Sequence, residues 1–104
     1  MGSKGEVLIY CFDIDETICT SLDLDYMSAT PILERINFVN ELYKNGDVIK
    51  FYTARGSKTG IDWYTFTKNQ LELWGVNYHE LHVGKPFADV YIDDKAINSE
   101  EFHW

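Results

Sequence analysis

Three short apolar runs set the limits on how this chain can fold: "VLIYCF" from Val7 to Phe12, "DVIKFYTA" with its strand ending at Thr53, and "ADVYIDD" running into Asp93 and Asp94. Each has the length of a strand, and the first, from Val7 to Phe12, is continuous enough to be a central strand covered on both faces. Between them lie segments of helical period. That alternation predicts an α/β three-layer sandwich around a mainly parallel, Rossmann-like sheet. Thr30 and Pro31 read as an N-cap and a first helical residue, with Ile32, Ile36, Val39 and Tyr43 as the buried stripe and Asn45-Gly46 as the stop. A second helix is predicted from Ile61 to Trp74, striped by Ile61, Tyr64, Leu71 and Trp74 and ended by Gly75. A further short strand falls near Tyr78 to His82. The 104 residues make one domain, 1–104, in which residues 1–5 are compatible with a tag or a disordered start.

The polar residues that stand out fall where these strands end: Asp13 and Asp15, Thr53, Asp93 and Asp94. In an open parallel sheet the carboxyl edge is where ligands bind. Carboxylates there cost stability unless a cation meets them. If strand conformation persists, residues i and i+2 point the same way, so Asp13 and Asp15 can face one reacting centre. One carboxylate can attack an electrophile while the second protonates a leaving oxygen. Asp93 and Asp94 would complete an all-oxygen site suited to Mg²⁺, which takes hard ligands and keeps some waters. Lys85 supplies a point charge near the same edge, and Thr53 a hydroxyl donor. Arg55 offers a fork suited either to a substrate phosphate or to the excess acids nearby. Such a set describes phosphoryl transfer.

The motifs "DIDET", "TAR", "GKP" and "IDD", in that order and at strand ends, resemble the haloacid dehalogenase-like (HAD) superfamily. The resemblance spans positions 13 to 94. It implies Asp13 as nucleophile, Asp15 as general acid/base, and Thr53 and Lys85 as the phosphate clamp. It also implies a Mg²⁺ site from the Asp13 side chain, the Asp15 carbonyl and one or both of Asp93 and Asp94. Thr17 would fix the geometry of the first loop. Glu16 is a departure, standing where many members have glycine. Asp15 favours a phosphatase over a dehalogenase, and the gaps between motifs leave no room for a cap domain. The implied activity is a small capless Mg²⁺-dependent phosphomonoesterase, a hydrolase working through an aspartyl-phosphate. Similarity to short HAD-type proteins of surface-polysaccharide gene clusters implies a sugar or polyol phosphate as the small phosphorylated substrate.

The rest of the chain narrows the partners. A formal charge of −8 argues against nucleic acid and anionic membranes, and no segment reaches membrane-spanning length. Cys11 and Cys19 read as reduced thiols, Cys11 as a core residue, so a cytoplasmic setting is expected. His79, His82 and His103 have no zinc-ligand spacing. The run "SLDLDY" reads as a solvated flap whose Asp23 and Asp25 are not metal ligands. Trp63, Tyr64, Phe66 and Trp74 read as core, with any exposed remainder serving an interface. A homo-oligomer is therefore expected, in which a neighbouring subunit or the segment Phe102 to Trp104 shelters the Asp13 edge, the alternative being a monomer sheltered by a bulky substrate or by the flap from Thr20 to Ala29. The alternatives are a phosphatase acting on a phosphoprotein or nucleic-acid end, and a receiver-like domain that accepts a phosphoryl group as a signal.

Overall fold

The computed structural model describes residues 6–21, 25–56, 59–83, 89–93 and 97–98, with the backbone alone at positions 91, 93, 97 and 98. The main sheet has five strands: β1 (Ile9–Asp13), β4 (Val48–Thr53), β5 (Glu80–Val83), β6 (Val90–Asp93) and β7 (Ile97–Asn98). Their spatial order is β5-β4-β1-β6-β7 and every pairing is parallel. Among the described residues the α-helices are α1 (Leu33–Lys44) and α2 (Tyr64–Leu73). A small α/β domain on a parallel sheet, as the sequence predicts, is thus what the chain forms, and the described residues contain no cap domain.

The steps β1 to β4 and β4 to β5 run in one direction, so right-handed crossovers put α1 and α2 on the same face. Burial agrees. Ile36, Val39 and Leu42 of α1 and Leu71 of α2 share a core with Phe12, Ile49, Phe51, Leu81 and Ile92. Along β4, Ile49, Phe51 and Thr53 are buried while Val48, Lys50 and Tyr52 are only partly so. Cys11 alternates with Phe12, yet both are fully buried. The central strand is therefore covered on both faces, as its unbroken apolar run predicts, although neither described helix supplies the cover on the Cys11 side.

Several expected boundaries move. Val7 is exposed and precedes β1. Thr30 and Pro31 are not a helix start: they form β3, antiparallel to β2 (Cys19–Thr20), and α1 begins at Leu33 with Ile32 as N-cap. The Ile32 amide donates to the Ile18 carbonyl at 2.8 Å, so the chain is tied to the first loop before it can coil. Leu42 takes the buried position expected of Tyr43, which stacks on His79 at 4.6 Å. Likewise α2 starts three residues after Ile61, which is exposed. Both helix stops hold. The Asp47 amide closes on the Leu42 carbonyl and the Val76 amide on Leu71, the six-to-one bond of a Schellman end.

At the amino edge of the sheet two acids serve the backbone. Asp47 accepts the Leu8 amide at 3.1 Å and Asp89 the Ile9 amide at 2.8 Å, which fixes the start of β1. His79 does similar work: its Nδ1 accepts the Ile49 amide at 3.1 Å.

Candidate active site at the carboxyl edge

Parallel register decides which strand ends meet. Phe12 pairs with Phe51 on one side and with Ile92 on the other, so Asp13, one residue on, lies level with Tyr52 and Asp93 and just below Thr53. Three adjacent strands therefore end together, in Asp13, Thr53 and Asp93.

Beyond Asp13 the chain turns at once. The Asp13 Oδ1 accepts the Ile14 amide at 2.8 Å. The Ile14 carbonyl then accepts both the Thr17 and Ile18 amides, at 3.2 and 3.0 Å, while Ile14 and Ile18 are sunk in the core. Buried isoleucines on either side of Asp15 and Glu16 hold the acidic stretch out at the edge. Glu16 takes a φ of 65°, the left-handed region that costs any residue with a Cβ about 1 kcal/mol or more. Its carboxylate accepts the Ser21 amide at 3.0 Å. Thr17 is enclosed, but its Oγ1 has no hydrogen-bond partner. Its backbone does the fixing instead, since the Thr17 carbonyl accepts from Arg35 Nη1 at 3.0 Å.

Asp15 does not simply face the reacting edge beside Asp13. Its carboxylate takes the fork of Arg55 in both oxygens, Nε to Oδ2 at 2.9 Å and Nη2 to Oδ1 at 2.8 Å. The Ser21 hydroxyl adds a bond to Oδ1 at 3.2 Å and the Cys19 thiol a weak one at 3.7 Å. Burial pushes that thiol up to about 12, with the Asp15 charge adding to it. Arg55 is itself enclosed, at 4% exposure. Its Nη1 donates to Thr67 at 3.1 Å and to Gln70 at 2.8 Å, and its guanidinium lies 4.5 Å from the centre of the Tyr26 ring. Loss of solvation, and then the Asp15 charge, hold the Tyr26 phenol above its ordinary value. Of the two roles the sequence allowed Arg55, the geometry realises pairing with an acid. The Arg55 fork is turned to Asp15 and not to an open edge, and four of its five N–H donors are used inside the protein, two on Asp15 and one each on Thr67 and Gln70.

Thr53 is buried at the end of β4, and its Oγ1 accepts the Arg55 amide at 3.0 Å, which leaves the hydroxyl proton as the donor. Lys85 and Asp94 lie outside the described residues, as does the side chain of Asp93. Among the described residues no three His, Cys, Asp or Glu side chains group as metal ligands. The donors that are described at this edge are all oxygen, which fits Mg²⁺. The Asp15 side chain is committed to Arg55, so a contribution from that residue would come from its carbonyl.

Sequence reasoning missed the cage around Arg55. Its signal was present in α2, where Thr67 and Gln70 are buried with Leu71, while the expected stripe of Ile61, Tyr64, Leu71 and Trp74 named only Leu71 among them. Polar side chains on a core stripe call for a buried polar partner. Ser21 and Tyr26 gave no such signal.

The chain matches no protein-family model and no curated protein. Its fold is similar to a structural-genomics target from Vibrio cholerae solved by crystallography, with a TM-score of 0.70 and 28% identity over 91% of this chain and 86% of that one. The class defined by fold and site is a small parallel-sheet α/β domain with acids at the carboxyl edge of its central strand. No helix among the described residues is long and apolar enough to cross a membrane.

Proposed function

We propose that this protein is a capless HAD-like, Mg²⁺-dependent phosphatase that hydrolyses a small phosphate monoester, a sugar or polyol phosphate by the resemblance of its motifs. The observation that supports it most is the register that ends β1, β4 and β6 together in Asp13, Thr53 and Asp93. An Asp13 oxygen attacks phosphorus, the bond to the leaving oxygen breaks, and Asp15 gives that oxygen a proton. Asp15 then takes a proton from water, which attacks the aspartyl-phosphate, releases phosphate and restores the Asp13 carboxylate. The Thr53 hydroxyl, and Lys85 by the motif, would hold the phosphoryl oxygens. Mg²⁺, held by Asp13 and by Asp93 or Asp94, would offset the charge that the acids and the phosphate bring together. A homo-oligomer that shelters this edge belongs to the same reading, and Phe102 to Trp104 lie outside the described residues.

A panel of phosphate monoesters assayed with and without Mg²⁺ tests it. Metal-dependent release of phosphate from small sugar phosphates is the expected outcome. Stoichiometric phosphorylation without turnover would favour a receiver-like role, and turnover confined to phosphoproteins would remove the small-substrate claim.

A further inference from the structure

A guanidinium enclosed in protein is costly unless its charge is paired and its donors are satisfied. Arg55 has its charge paired and four of its five N–H donors bonded, in a particular way. The fork grips both oxygens of Asp15, the far nitrogen is anchored to Thr67 and Gln70 on α2, and the flat face rests on Tyr26. The support itself is tied down, because Gln70 Nε2 donates to the Tyr26 carbonyl at 2.8 Å. Were stability the only purpose, a well-packed apolar group would serve as well or better. Were Arg55 a substrate clamp, its donors would face the open edge.

We propose that Arg55 is a positioning residue: it fixes the orientation of the Asp15 carboxyl group at the site, on a mount built from α2 and the Tyr26–Ser28 turn. The inference rests on the reading of Asp15 as the proton-transferring residue. It makes a polar face of α2, which touches no reacting atom, part of what sets the rate. A carboxyl group displaced by about an ångström from a productive position loses on the order of 10²-fold in rate, and a bidentate grip holds orientation as a single lysine contact does not.

The test is a double-mutant cycle on the full chain, with turnover of an aryl phosphate in Mg²⁺, whose good leaving group keeps weak variants measurable. Arg55→Lys is expected to lower kcat on the order of 10²-fold with KM held within about twofold. Added to Asp15→Asn, the same substitution is expected to cost little more, because it acts through a group already disabled. A raised KM with kcat kept would return Arg55 to substrate binding and overturn the proposal, as would losses that simply multiply in the double variant. Gln70→Leu keeps the Arg55–Asp15 pair but frees one end of the mount, so it carries the test if Arg55→Lys does not fold. It is expected to lower kcat several-fold at constant KM in the natural background and not beside Asp15→Asn; an unchanged kcat contradicts the mount. Absence of any turnover by the unaltered chain rejects the phosphatase reading and the proposal with it, whereas turnover with the wrong response of the variants rejects the positioning role alone.

Discussion

Glu16 holds a left-handed backbone at φ 65° close to the candidate nucleophile, in the position where many members of the resembled family have glycine. Replacing it by glycine removes the steric cost and forfeits an exposed hydrogen bond to the Ser21 amide. The balance is expected to stabilise the fold by about 0.5–1 kcal/mol, a rise of a few degrees in Tm. A lower midpoint in Glu16→Gly would mean that the bond to Ser21 outweighs the strain. Cys19 makes a prediction in pH. The folded thiol keeps its proton up to about 12 while an unfolded thiol loses it near ~8.5. The native state thus binds more protons between those values, so this stabilisation is complete below about pH 8.5 and is lost as pH rises toward 12. Denaturant unfolding from pH 7.5 to 10.5 is expected to show a steeper fall for the natural chain than for Cys19→Ala. Equal slopes would remove Cys19 from the account.

Among the elements, the turn after β4 is the one that aims Arg55. Gly56 has a φ of 87°, and a Cβ there would lie 2.0 Å from the Ile61 carbonyl oxygen, whereas at Gly60, with a φ of 75°, nothing stands within 4 Å. Gly60→Ala is expected to cost about 1 kcal/mol from backbone strain, and Gly56→Ala at least about 2 kcal/mol, because strain and collision add. Equal midpoints for the two variants in thermal melts would contradict this account of the loop. β1, β4 and β6 were legible in the sequence because their runs are mostly apolar and their ends polar, and the helix stops because Asn45-Gly46 and Gly75 are strong local signals, whereas the two-residue strands β2, β3 and β7 are too short to leave a pattern. The start of α1 was not: Thr30-Pro31 has the local chemistry of a cap, but pairing with Cys19–Thr20 claims it first. Nor was the partnership of Asp15 with Arg55 legible, since 40 positions separate them and only the parallel packing of β1 on β4 joins them. The alignment of Asp13 with Asp93 was legible, because it follows from strands that end together.

For the whole molecule, the proposal makes the fold respond to metal. Acids gathered at one edge repel each other, and a cation that binds only the native state stabilises it by linkage. Saturating Mg²⁺ is therefore expected to raise Tm and its removal by chelator to lower it, with the response reduced in Asp13→Asn. A midpoint indifferent to Mg²⁺ would end the claim that Asp13 and Asp93 share a metal. The central claim is that Asp13 carries the phosphoryl group, and peptide mass analysis after rapid acid quench of the chain turning over an aryl phosphate in Mg²⁺ tests it most directly. The account predicts one added phosphoryl group on the peptide containing Asp13, and neither adduct nor turnover in folded Asp13→Asn. Turnover that persists in Asp13→Asn, or an adduct on any other residue, would contradict it.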